Sequence, residues 1–156
     1  MKKNKLFQLI FCLFLWGCST SNYKQHEDLS SPLKNLIYKC VRDSSNTFSI
    51  DKNIGFEWKK LYIFMPYTST NEIYQKLGYE WKEADNIKIK HSDSFNLLVF
   101  VDDKNQVIKH CELPRSYGDF ATVKKKTYQN GEAFFQVKMK KGGGNKGDDW
   151  YYIFDI

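Results

Sequence analysis

Phe95-Asn96-Leu97-Leu98-Val99-Phe100-Val101, then Asp102-Asp103-Lys104-Asn105, then Gln106-Val107-Ile108-Lys109-His110-Cys111-Glu112-Leu113 is the stretch on which the fold turns. Two runs rich in β-branched and aromatic residues flank four polar turn formers, which predicts an antiparallel hairpin. Neither pairing of the runs puts every apolar residue on one face, so the runs alone leave the register open. Pro114 closes the second run because it has no N–H for a ladder.

Working back from the hairpin, Ile87 and Ile89 alternate with lysines and continue a period of two. Thr68 to Gly78 predicts a short helix. Ser69-x-x-Glu72 makes a capping box, Ile73 and Leu77 point inward, and Gly78 suits the left-handed residue after the last turn. Trp81 is expected beside it. Phe56 to Met65 reads as a strand with Leu61, Ile63 and Met65 on one face and Tyr62 and Phe64 on the other. Apolar residues on both faces predict burial on both sides at its far end. Phe48 to Ile50 is a shorter strand. Asp51-x-Asn53 opens like a calcium loop, but neither its glycine nor a terminal glutamate falls where calcium needs it, which excludes that site. Ser31-Pro32 suits a helix start, and Leu33, Leu36, Ile37, Cys40 and Val41 follow on one helical face.

Working forward, Lys124 to Lys126 leads to the turn Asn130-Gly131, and Ala133 to Lys141 alternates Phe135, Val137 and Met139 against polar residues. Residues 142–149 form a glycine-rich connection to a last strand, Trp150 to Phe154. The expected fold is α+β: an antiparallel sheet of about six strands with two short helices packed on one face. Three segments are expected, 1–17, 18–31 and a single domain over 32–156.

The first segment opens with Lys2, Lys3 and Lys5, is almost continuously apolar from Leu6 to Trp16, and closes on Leu15-Trp16-Gly17-Cys18. A basic start, a short apolar run and a small residue at the cut describe a secretory signal peptide. A membrane-spanning helix needs about 20 apolar residues, more than this run holds. The Leu-x-Gly-Cys ending resembles the lipobox of bacterial lipoproteins. The resemblance implies cleavage between Gly17 and Cys18, a diacylglycerol thioether on Cys18, and a lipid anchor in the cell envelope. Trp16 is bulkier than the family pattern usually carries there. Ser19 after the cysteine, in place of an inner-membrane retention aspartate, implies the outer membrane, facing the periplasm. The polar stretch that follows, to Ser31, reads as a tether spanning about 20 Å as a coil.

Without residues 1–17 the chain keeps 139 of its 156 residues, and its net charge falls from +6 to +3 with the three signal lysines. That length makes one domain with a real core. Arg42 and Arg115 are the only arginines, whereas nucleic-acid readers favour arginine; no nucleic-acid partner is expected.

Catalytic signals are sparse. His26, His91 and His110 are scattered, and His91-Ser92-Asp93 has no second ligand pair at zinc spacing. The glycine-rich loop lacks a phosphate-cradle ending. No metal, cofactor or catalytic set is expected. The one constellation of interest is Pro114-Arg115-Ser116-Tyr117-Gly118-Asp119-Phe120. There Arg115 and Asp119 either pair with each other, stapling the loop, or, with Tyr117, present a binding surface. Leu61-Tyr62-Ile63-Phe64-x-Pro66-Tyr67, Lys76-Leu77-Gly78, Asp93-Ser94 and this turn together resemble small bacterial envelope lipoproteins of no established activity.

Cys12 leaves with the signal and Cys18 carries lipid, so Cys40 and Cys111 remain, and an oxidising envelope predicts a disulfide between them. The alternative is that each is a buried small hydrophobe. Aromatic residues are in surplus, 22 outside the signal among them ten tyrosines, so some tyrosines are expected on the surface. The leading expectation is a non-catalytic, lipid-anchored protein that binds a protein or cell-wall partner. An immunity or inhibitor protein against a toxin or lytic enzyme is the second, and an envelope enzyme using His91, Asp93, Arg115 or Asp119 the third.

Overall fold

The hairpin forms as its turn chemistry requires: β3 (Phe95–Val101) runs antiparallel to β4 (Val107–Pro114). The computed structural model describes residues 29–43, 45–51, 54–141 and 150–155. The signal segment 1–17, Cys18, most of the tether, Lys52-Asn53 and the loop 142–149 lie outside the described residues. The register has a bulge. Phe100 faces Lys109 but Val101 faces Val107, so Ile108 is the extra residue, and it lies partly exposed. A bulge shifts alternation by one, which is why no single register sorted the apolar residues.

The other elements are α1 (Ser30–Arg42), β1 (Thr47–Ser49), β2 (Lys60–Phe64), α2 (Thr70–Leu77), β5 (Thr127–Gln129), β6 (Phe134–Lys141) and β7 (Trp150–Asp155). The fold is α+β and every strand pairing is antiparallel. Among the described residues the seven strands fall into two sheets, ordered β4-β3-β2-β5 and β1-β6-β7. Asn130-Gly131 makes the passage between them: β5 ends on β2, the chain turns at Gly131 with φ +89°, and β6 pairs with β1.

The two helices do not share a face. Leu61, Ile63, Leu98 and Phe100 meet α1 and the three-stranded sheet in one core, which also takes in Phe48, Phe135 and Phe154. Tyr62, Phe64, Leu97, Val99 and Val101 meet Ile73 and Leu77 of α2 and Trp81 in a second. The central strands β2 and β3 are apolar on both faces, so each face must be covered. One helix cannot cover both.

Local corrections follow the same logic. Ser31 does not cap α1: the helix starts at Ser30 after Leu29, and Leu29 is buried in the first core. The domain therefore begins inside the expected tether and before Pro32. Residues 82–91 fold as two 3₁₀ turns, Lys82–Asn86 and Lys88–His91, not as a strand. Ile87 and Ile89 are buried all the same, Ile87 from the extended residue that links the two turns and Ile89 from within the second. Met139 is 55 % exposed at the far end of β6, where the β6–β7 hairpin runs beyond the core.

No disulfide joins Cys40 and Cys111. Both thiols are buried in the first core, Cys40 near the end of α1 and Cys111 opposite Leu98 on β4. Sharing a core is a looser condition than the Cα spacing and Cβ direction a bridge demands. Burial pushes the Cys40 thiol above its ordinary value, opposed by a hydrogen bond with Ser45. It packs as a small hydrophobe.

Candidate functional site

The 114–120 turn is built from its own charges. Arg115 donates from Nε (3.0 Å) and Nη2 (2.6 Å) to Asp119 Oδ2, while Nη1 reaches the Asp93 main-chain carbonyl at 2.9 Å. The second carboxylate oxygen of Asp119 accepts from the Ala121 N–H at 3.1 Å. Asp119 is only 4 % exposed. The turn also holds β7 in place. The Phe154 N–H donates to the Asp119 carbonyl at 2.8 Å, and Thr122 Oγ1 donates to the Phe154 carbonyl. A Cβ at Gly118 would collide with the Cζ end of the Phe154 ring. Tyr117 is half-buried beneath Lys34, whose Nζ lies 4.4 Å from its ring centroid.

Of the two readings of this turn, the staple is the one the geometry supports. Asp93, Arg115 and Asp119 do come together, but through a main-chain carbonyl of Asp93, and no described contact brings His91 to them. His110 packs edge-on to Trp81, 5.1 Å between ring centroids, on the opposite face of the sheet from α1.

A different region has the shape of a site. A groove of about 510 Å³ runs between α2 and the edge of β2. Residues 62–65 form one wall, Thr68, Glu72, Gln75 and Lys76 the other, and Lys126 with Thr127 closes one end. Glu72, Gln75 and Lys76 of the second wall lie on one helical face. Ser69 caps α2 in the expected box: its backbone N–H and hydroxyl both donate to Glu72 Oε2, at 2.7 and 2.8 Å. Those bonds, the backbone one first, hold the Glu72 carboxyl below its ordinary value. Lys126 donates to the Phe120 carbonyl at 2.6 Å. Burial lowers its ammonium below the ordinary lysine value, with the charge of Asp119 opposing.

Tyr67 lies in the turn between two of the groove's lining residues, Met65 and Thr68. Met65-Pro66-Tyr67-Thr68 is a β-turn in which the Thr68 N–H donates to the Met65 carbonyl at 3.2 Å, and Tyr67 holds φ at +64°. Glycine or asparagine normally takes that third place; a bulky aromatic there is an outlier. The Tyr67 side chain is nevertheless 63 % exposed, so no packing of its own accounts for the strain. Its N–H donates to the Ile89 carbonyl at 2.9 Å, which pins the turn. The sequence signal for the turn was Pro66, which reads equally well as a strand stop, so the groove was not foreseen. Tyr38 is also displayed, 43 % exposed.

No protein-family model, characterised protein or solved structure matches the chain.

Proposed function

We propose that this chain is a lipid-anchored cell-envelope protein, held through Cys18 in the outer membrane facing the periplasm, that acts by binding a protein or cell-wall partner and not by catalysis. The ending Leu15-Trp16-Gly17-Cys18 supports the anchor. Tyr67 carries the binding reading: an exposed aromatic, held at positive φ by a pinned turn whose first and last residues, Met65 and Thr68, line a groove. Backbone strain of about 1–3 kcal/mol gathers at ligand clamps and other functional sites, and tyrosine is a favoured contact residue at interfaces. The polar groups of the 114–120 turn bind one another, which favours a structural role there.

The experiment is site-specific photocrosslinking of the full-length protein in bacterial cells, with the crosslinker at position 67. The expected result is a discrete adduct with an envelope protein or with cell-wall material, lost in Cys18→Ala. An adduct with a toxin or lytic enzyme would identify the partner class as the target of an immunity protein. No adduct at 67 or at any other exposed position, or turnover of an envelope substrate by the purified protein alone, would overturn the reading.

A further inference from the structure

We infer that a second, shallower depression, on the outer side of α2 at Tyr74 and Tyr79, binds a neutral glycan strand whose pyranose rings lie flat on the tyrosines. The inference goes beyond the binding reading above, which rests on Tyr67, and takes from it only the envelope setting, where the cell wall supplies such a polymer.

The first argument is a platform built in advance. Asn71, Tyr74 and Gln75 stand at i, i+3 and i+4, one outward stripe of α2. Gly78, at φ +85°, ends the helix and turns the chain, so that Tyr79 and Glu80 complete the rim. These six residues line a depression of about 410 Å³ that is broadly open to solvent. Both tyrosines pack on one side against the second core and give their remaining surface to the depression. Their hydroxyls are tied: that of Tyr74 donates to Asp85 Oδ1 at 3.1 Å, and that of Tyr79 accepts from the Val107 N–H at 2.9 Å. Each ring is held at its backbone and at its hydroxyl, so little order has to be gained when a ligand arrives.

The second argument is the chemistry of the lining. Asn71, Gln75 and Glu80 are exposed, and no hydrogen bond among the described residues uses their side-chain amides or carboxylate. Each amide offers donors and an acceptor, and the carboxylate accepts only. Such groups around aromatic faces match a pyranose, whose C–H face stacks on a ring while its hydroxyls both donate and accept. The one charge on the lining is the negative Glu80, and the carboxylate that holds the Tyr74 hydroxyl is a second nearby. An anionic ligand is therefore disfavoured, and a neutral sugar is not. A quaternary ammonium would also suit tyrosines and a carboxylate, but it is recognised by aromatic faces that cage it, and this depression is open. A polymer needs that openness, because its chain must pass on at both ends.

The test uses the full-length protein extracted from membranes in detergent, with a tetramer of β-1,4-linked N-acetylglucosamine as the probe, read by saturation-transfer NMR on the sugar. The expected outcome is saturation of the tetramer's ring C–H protons, competed by peptide-free glycan strands prepared from bacterial cell wall. Tyr74→Phe should bind as the parent does. Tyr74→Leu, which keeps an apolar body on the core, should weaken binding about tenfold, the worth of an aromatic face. Asn71→Ala and Gln75→Ala, both at exposed positions, should each weaken it about fivefold, the size of one neutral hydrogen bond, at an unchanged melting temperature. If Tyr74→Leu itself unfolds the protein, the two alanine variants still decide. No saturation transfer, or binding indifferent to all three substitutions, would overturn the proposal. So would displacement of the tetramer by equimolar tetramethylammonium, which would give the site to a cation. Equal competition by dextran, an α-linked glucose polymer, would overturn the assignment to the wall polymer. Absence of sugar binding in a protein that still crosslinks a partner from position 67 would sink this inference and leave the binding reading standing.

Discussion

Asp119 is a buried carboxylate whose neighbours are all committed to it: two Arg115 nitrogens on one oxygen and a main-chain N–H on the other. Removing Arg115 leaves that charge buried without its cation. Breaking such a pair costs about 3–5 kcal/mol when fully buried. Arg115 is itself 38 % exposed, so about 2–3 kcal/mol is expected for Arg115→Ala in chemical denaturation. Arg115→Lys should not restore the loss, because an ammonium cannot span both bonds. A variant as stable as the parent would mean the turn is held by something else. Tyr128 provides a second reading at this scale. Its hydroxyl donates to the Lys125 carbonyl at 2.7 Å, and burial pushes its pKa up to about 12 from an ordinary 10. The unfolded chain then ionises first as pH rises, so stability is lost between pH 10 and 12, by about 2–3 kcal/mol at 1.36 per unit. Tyr128→Phe should cost about 1 kcal/mol at neutral pH for its hydrogen bond and lose less between pH 10 and 12. An unchanged alkaline loss would contradict the assignment. Tyr67→Gly separates strain from packing. Relief of the positive φ and the added freedom of glycine nearly offset, so the unfolding free energy should change by no more than about 1 kcal/mol, while partner crosslinking from the exposed position 71 falls.

At the scale of elements, α2 was legible in full. Ser69-x-x-Glu72, Ile73, Leu77 and Gly78 each act locally, and each is found as expected, Gly78 at φ +85°. Ser69→Ala should cost about 1 kcal/mol of stability, the usual worth of an N-cap. The Glu72 contribution has a definite sign: its folded pKa is lowered, so it is present above the ordinary value of 4.5 and disappears as pH falls through the lowered one. Thermal melts at neutral and acid pH should therefore show the Ser69→Ala deficit shrinking on the acid side; a deficit that grows would contradict the box. The hairpin was legible as an element but not in register, because nothing local marks Ile108 as a bulge; only the pairing of Phe100 with Lys109 reveals it. Residues 87–91 misled for a related reason. Two buried isoleucines at i and i+2 suggest a strand, but they are also met where an extended residue, Ile87, leads into a 3₁₀ turn holding Ile89, and only tertiary context chooses between them.

For the whole molecule, what the sequence could not convey was assembly. Apolar residues on both faces of β2 pointed to two buried faces, yet not that separate helices would cover them or that the strands would divide into two sheets. The groove belongs to this level: it exists because β5 stops short of the end of β2 and α2 flanks the gap. No single segment contains it. The Arg115–Asp119 turn was legible as a pair, while its load from Phe154, thirty-odd residues on, was not. Anchoring is the claim on which the rest of the functional account depends, and the intact mass of the full-length protein extracted from bacterial membranes tests it most directly. The account predicts a chain that has lost residues 1–17 and carries a diacylglycerol on Cys18, with Cys18→Ala unlipidated. A membrane-extracted chain that retains Met1, or one whose Cys18 carries no lipid, would contradict it.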